Sequence, residues 1–252
     1  MLIDLKEKVV FVTGSARRVG KAIALEFARQ GANLVVHHSS SDESAAQTAA
    51  EIRTLGVEVL VVKGDYTRHD EVETNFSVVR DHYGRLDVMV NSASIFESTP
   101  LLEISPEEWQ KVMDVNVSSA FWCTQQAGRL MIENKTPGCI INIADNGGRR
   151  PWKNRPHHSV SKAALIMLTQ VTARALAEHQ IRANCVVPGP VLPSPDMSEA
   201  YWKKVENRLP LKRSGDPSDV ARAAVFLATN DFITGAVLSV DGGEFLGDAT
   251  HD

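Results

Sequence analysis

Cysteine and tyrosine are scarce in this chain, basic residues form no block, and no apolar run is long. Each shortage excludes something. The three cysteines among 252 residues, Cys123, Cys139 and Cys185, are widely spaced and sit in apolar runs. They fit neither a disulfide framework nor a zinc site and read as reduced core residues. A net charge of −4 without a basic stretch offers nucleic acid no surface. No apolar run approaches the roughly 18 residues that a membrane span requires. The opening "MLIDLKEKVVFVTG" leads directly into a strand, with no charged-then-apolar leader. The expected setting is the cytoplasm, with a small-molecule substrate and no nucleic acid, membrane or bound metal. The tyrosines are Tyr66, Tyr83 and Tyr201, and none lies between Asn116 and Lys162.

What is present is an ordinary globular balance, 43% apolar and 23% charged residues. Short β-branched runs alternate with helical patterns: "KVVFVTG" (8–14), "ANLVVHH" (32–38), "VEVLVVKGD" (57–65), "LDVMVNSAS" (86–94), "GCIINIAD" (138–145), "IRANCVVPG" (181–189) and "AVLSVDGG" (236–243). Nearly unbroken Val, Ile and Leu is the pattern of strands buried on both faces. Ser105-Pro106-Glu107-Glu108 reads as a capping box with proline at the first helical position, and Asp216-Pro217 opens a helix in the same way. These elements predict an α/β chain, one domain over 1–252, with a doubly wound seven-stranded parallel sheet. Ligands of such sheets sit beyond the carboxyl ends of the strands.

After the first strand comes "TGSARRVGKAIALEFARQG" (13–31), where Gly14 and Gly20 bracket a turn into an amphipathic helix. Its amino end suits a pyrophosphate, although Arg18 stands where a glycine is expected and both glycines also serve a plain turn. The end of the second strand sets nucleotide choice. An acidic residue there would bind a ribose 2′-hydroxyl, but the sequence reads "VVHHSSSDES". His37, His38, Ser39, Ser40 and Ser41, with Arg17 nearby, predict NADPH (NADP) rather than NADH. Ser41-Asp42-Glu43 also reads as a helix cap.

The motifs "TGSARRVG", "GDYT" (64–67), "NSAS" (91–94), "DVNVSSAF" with Asn116, "IINIAD" (140–145), Lys162, "PGPV" (188–191) and "FITGAVLSVDGG" (232–243) resemble the short-chain dehydrogenase/reductases in order and over essentially the whole chain. Within that family the chain is most similar to the pteridine reductases. The resemblance implies a Rossmann-like fold and a set of site residues. Gly14, Ser15, Arg17, Arg18, Val19 and Gly20 would hold the pyrophosphate side, with Arg18 reaching toward substrate. Asp65 and Tyr66 would meet the adenine, and Asn91 would brace the central strand ahead of Ser92 and Ala93. Pro188, Gly189 and Val191 would lie along the nicotinamide, and Lys162 would hold its ribose. Asn116 would anchor a water leading to Lys162, or else mark a helix kink. Ser94, Trp152 and Tyr201 would face substrate, with a substrate loop at about 189–210. Tyr201 also reads as packing beside Trp202. Trp152, Arg155 and His157 either line the pocket or shape the loop before the helix.

The family's proton donor is a Tyr four residues before the Lys, and that position is His158 here. The family's Ser position, thirteen residues before it, is Asp145. The catalytic set on offer is therefore Asn116, Asp145, His158 and Lys162. An imidazolium is a competent acid, with an ordinary pKa of about 6.5. Lys162 would oppose that charge and Asp145 would favour it, so the nearer neighbour decides. The expectation is an Asp145–His158 couple acting as general acid in hydride transfer to a carbonyl or pterin-like C=N bond. Two alternatives stand: a catalytically impaired NADP-binding homologue acting as sensor or partner, and a 3-oxoacyl-ACP-type reductase. The resemblance also implies a homotetramer, or a dimer, formed through the long helices.

Overall fold

The computed structural model describes residues 2–193 and 197–247. Seven strands, β1 (Val9–Val12), β2 (Asn33–His38), β3 (Val59–Lys63), β4 (Val88–Asn91), β5 (Cys139–Ile143), β6 (Arg182–Pro188) and β7 (Val237–Val240), form one sheet in the order β3-β2-β1-β4-β5-β6-β7. Every neighbouring pair is parallel. Around it run α1 (Arg18–Arg29), α2 (Asp42–Arg53), α3 (His69–Tyr83), α4 (Pro106–Met113), α5 (Ser119–Glu133), α6 (Pro156–Ala175), α7 (Glu199–Arg208) and α8 (Pro217–Thr229). This is the expected Rossmann-like sheet, each strand falling inside its apolar run. Among the described residues, no helix is long and apolar enough to cross a membrane.

Burial on both faces explains the unbroken runs. Val10 and Val12 pack with Ile23 and Phe27 of α1 and Ala224 of α8, while Val9 and Phe11 pack with Phe76 of α3 and Leu130 of α5. Both faces of β1 are thus removed from water.

The strands stop short of the ends of their runs, and the freed residues build the site. Beyond Asn91 the amides of Ser92 and Ala93 both donate to the Thr13 hydroxyl, each at 3.0 Å, instead of to a neighbouring strand. The sheet's winding reverses between β1 and β4, so their carboxyl ends open onto a crevice.

A buried polar ladder ties α6 to the sheet. The Asn91 amide donates to Thr124 Oγ1 of α5 and to Asn142 Oδ1 of β5, and Asn142 in turn donates to Thr169 Oγ1 of α6 at 2.8 Å. Asn91 therefore braces the central strands, as expected. The cap at Ser105 is only half of the expected box. Its hydroxyl accepts from the Glu108 amide, but the Glu108 carboxylate turns to Thr99 and His157 instead. At Asp216 the box is complete, with Asp219 as its other member.

Candidate active site at the carboxyl ends of the strands

The β1–α1 turn is built around close backbone approach. Gly14 has φ +63°, and a Cβ there would lie 2.9 Å from the Ala93 Cα. A Cβ on Gly20 would strike the Gly14 carbonyl oxygen. Both glycines are therefore required by the turn itself. Arg18, in the expected glycine place, adopts φ +55°, so the turn keeps its left-handed residue and adds a cation. Its guanidinium donates to the Pro193 carbonyl, toward the substrate side. The first turn of α1 carries no acidic residue, and Arg17 and Arg18 are exposed beside it. Val19 is half-buried. A tight turn with a helix amino end and two arginines fits a dinucleotide pyrophosphate.

Three expected cofactor contacts are corrected by burial. The Ser15 hydroxyl donates to the Val12 carbonyl and accepts the His37 amide, so it braces β1 against β2. Tyr66, 4% exposed, receives Asn75 at its hydroxyl and stacks on His37. The Val191 side chain belongs to the core. Only the backbone of these three can face a nucleotide.

His37 was expected to offer donors and charge to a 2′-phosphate, and the structure gives it another task. Its Nδ1 accepts the Gly14 amide at 3.1 Å, and its Nε2–H donates to the Gly64 carbonyl at 3.0 Å. Burial pushes its pKa down to about 4 against the opposing Gly64 hydrogen bond. The ring is a neutral bridge between two loops. His38 is buried as well, and loss of water lowers its pKa. Ser39 and Ser40 remain exposed. Ser41 is the N-cap of α2 without a side-chain cap, and the adjacent Asp42 is paired with Lys63 at 2.9 Å. Asp65 holds its own turn through Thr67.

Asn116 lies in a π-helical turn, Asp114–Ser118, between α4 and α5. Its oxygen accepts from the Ile95 amide and the Ser94 hydroxyl, and its nitrogen donates to the Ile95 carbonyl and Ser161. That fills its hydrogen-bonding capacity. The expected water has no Asn116 side-chain atom left to bind, and Asn116 instead fastens the 94–95 loop to α6. Ser94, turned to Asn116, does not line the substrate cavity described below.

Asp145 follows β5 and meets His158 of α6, with Oδ2 and Nε2 2.5 Å apart. His158 Nδ1 faces the Ile95 carbonyl at 3.2 Å. A carbonyl only accepts, so Nδ1 carries a proton, and a second proton lies along the Nε2–Oδ2 line. The ring is 1% exposed. Trp152 lies parallel to it at 5.9 Å, and Phe96 meets it edge-on at 4.7 Å. Burial alone would raise the Asp145 carboxyl, but the His158 hydrogen bond and the Lys162 charge outweigh it and hold it below the usual range. Lys162 is buried and donates to the Ile143 carbonyl at 3.0 Å. Its pKa is lowered by burial, with Asp145 opposing.

A cavity of about 580 Å³ lies in front of Asp145. Pro188 and Gly189 form one side, Phe96, Trp152 and Arg155 another, and Tyr201 and Trp202 of α7 close it. Trp152 and Tyr201 both line this cavity. His157 does not: it is fully buried, with Nε2 3.0 Å from Glu108. His158 is also absent from the lining, so Asp145 is the member of the pair that meets the cavity. Part of the expected 189–210 loop, residues 194–196, lies outside the described residues. Sequence reasoning missed Thr13, Asn142, Trp202 and Glu244. The last lines the cavity from the segment after β7 and accepts from Asn146 at 2.7 Å. Only the "TG" at 13–14 carried a local signal.

Known proteins share both sequence and shape with this chain. A family model described as enoyl-(acyl carrier protein) reductase matches residues 14–244. A 3-oxoacyl-[acyl-carrier-protein] reductase of Synechocystis is 36% identical over 95% of this chain and 97% of its own length. The 3beta-hydroxysteroid dehydrogenase 1 of Eggerthella lenta is 34% identical over 96% of this chain and 95% of its own. The structure of a short-chain dehydrogenase/reductase from Serratia marcescens superposes with a TM-score of 0.90 at 32% identity, covering 96% of this chain and 100% of that one.

Proposed function

The chain belongs to the short-chain dehydrogenase/reductases, a family of oxidoreductases, and from that premise we propose that it reduces a carbonyl or C=N bond with NADPH, using Asp145 as the group that delivers the proton. The observation that carries this reading is the 2.5 Å Asp145–His158 contact with Asp145 alone on the cavity. His158 stands at the family's Tyr position, and its buried ring does not reach the substrate itself.

When bound, NADPH supplies the hydride. The Gly14–Gly20 turn, Arg17 and the start of α1 would hold its pyrophosphate, and Ser39, Ser40 and Ser41 its 2′-phosphate, with the neighbouring Asp42 neutralised by Lys63. Lys162 would hold the ribose. Negative charge developing on the substrate's oxygen or nitrogen is quenched by the proton shared between Asp145 and His158. His158 keeps that proton at Asp145, and the Ile95 carbonyl fixes the ring's orientation. The Lys162 ammonium stabilises the carboxylate left behind.

A second reading, reduction of a 3-oxoacyl thioester, is favoured by the Synechocystis relative. A pterin substrate rests on the motif resemblance alone. A third, a binding protein without turnover, is consistent with the enclosure of both His158 nitrogens. The reading further places the chain in the cytoplasm, where its buried thiols stay reduced, as a tetramer or dimer paired through the exposed Phe121 of α5 and Val160, Met167 and Val171 of α6. The test is NADPH oxidation against ketones, quinones, pterins and acetoacetyl thioesters at pH 6 and 8, beside a direct NADPH titration. Turnover that disappears in Asp145→Asn while NADPH still binds supports the proposal. Binding without turnover on any of these substrates, in the parent protein, favours the third reading.

A further inference from the structure

Arg155 is a half-buried cation without a carboxylate partner among the described residues, and it stands on the wall of the cavity. Its backbone caps the start of α6. Its guanidinium lies over the Phe96 ring, 3.7 Å from the centroid, and one N–H donates to the Phe96 carbonyl at 2.8 Å. No ion pair of Arg155 exists among the described residues. Burial lowers its pKa, while the more distant Glu97, Asp145 and Tyr201 pull the other way without pairing with it. The ring contact and the Phe96 carbonyl together hold the guanidinium in place. A planar fork held in this way is ready for a bidentate oxyanion.

The surrounding wall is aromatic. Trp152 and Phe96 stand perpendicular, at 85° and 5.9 Å, and make a corner. Tyr201 and Trp202 face the same space from α7. Flat side chains on several sides of one cavity favour a flat occupant by stacking and edge contacts. A flexible acyl thioester uses neither that shape nor the cation, because its reacting end carries no charge.

We propose that the cavity takes a planar carbonyl or imino compound bearing a carboxylate, with the carboxylate held by Arg155 and the reducible bond placed at Asp145. This rests on the reductase reading for the reaction, but the recognition stands on Arg155 and the aromatic wall alone.

Binding separates the two. Calorimetric titration of the full chain, loaded with NADPH, with 2-naphthoate and with its neutral isostere 2-naphthamide is expected to show the carboxylate binding about tenfold tighter. Arg155→Met is expected to bring the two to within about twofold, with circular dichroism and NADPH affinity unchanged. Arg155→Lys keeps the charge but loses the flat fork, and is expected to retain a reduced preference. It serves as the working variant if the Met substitution impairs folding. Equal binding of naphthoate and naphthamide by the parent, no binding of either, or an undiminished preference in both variants overturns the proposal. Failure of the reductase reading shows separately, as NADPH-loaded protein that prefers naphthoate yet oxidises no NADPH with any carbonyl compound.

Discussion

Asp145 and His158 meet at 2.5 Å, yet only Asp145 lines the substrate cavity. In the proposed reaction the two residues have separable roles, delivery and storage of one proton. Asp145→Asn removes delivery and is expected to lower kcat by about 10²-fold or more. His158→Asn removes storage and is expected to cost less at pH 6 than at pH 8, because protons from water can recharge Asp145 at the lower pH. Steady-state kinetics at both values measure the split. Equal losses for the His158 variant at the two pH values would contradict separate roles.

In the parent protein the rate of reduction is expected to fall as pH rises, since the shared proton is lost. Against the raising effect of burial, the His158 hydrogen bond and the Lys162 charge hold the Asp145 carboxyl below the usual range, so in the parent protein the proton it delivers is the one it shares with the imidazole. A profile of kcat/KM that stays flat from pH 6 to 9 contradicts this.

His37 supplies a stability prediction of definite sign. Its folded pKa is about 4, below the ordinary value of 6.5. Between these values the unfolded chain takes up a proton that the folded chain refuses, so His37 destabilises the fold as pH falls from 6.5 to 4. The full effect is about 3 kcal/mol at pH 4 and absent above pH 7. In His37→Gln the side-chain amide can span Gly14 and Gly64 without titrating. Urea midpoints at pH 7 and 4.5 should move apart less in this variant than in the parent.

Gly20→Ala tests the cradle. The added methyl meets the Gly14 carbonyl oxygen, a backbone atom that has little freedom to retreat. The expected cost is roughly 1–3 kcal/mol, seen as a drop of several degrees in Tm. NADPH affinity should fall as well. Unchanged Tm and affinity would show that the turn is looser than its geometry.

Nucleotide choice is tested at the exposed serines. Ser40→Asp places a carboxylate at the end of β2, and should weaken NADPH binding about tenfold while leaving NADH unchanged or tighter. Paired fluorescence titrations of the two nucleotides read this out. An unaltered NADPH:NADH ratio would move the 2′-phosphate away from residues 39–41.

The sequence made the fold legible because burial on both faces leaves a strong local mark, as in the unbroken "VVFV" of β1. It also made legible the Asp145–His158 couple, since a residue at the end of a strand and another at the start of a helix have fixed places in this architecture. What it hid depends on contacts between distant segments. His37 looked like a phosphate ligand because nothing local reveals that Gly14 and Gly64 close on both of its nitrogens. His157 and His158 are adjacent and alike in sequence, but successive helical residues point in different directions, one to Glu108 and the other to Asp145. Asn116 carried a correct hint of irregularity, but its partners Ile95 and Ser161 are set by tertiary packing.

The polar ladder Asn91–Asn142–Thr169 runs through the floor of the site with all three residues buried. Groups joined in that way separate only when strands and α6 part together, which costs as much as unfolding the domain. The opposite wall, α7, has no buried residue. The cavity is thus a vice with one fixed jaw and one adjustable jaw: the chemistry sits on the fixed side, and differences in the size of the occupant are absorbed on the other. Variation in substrate should accordingly be found in residues 197–208, while the positions that handle the proton stay in register with the sheet.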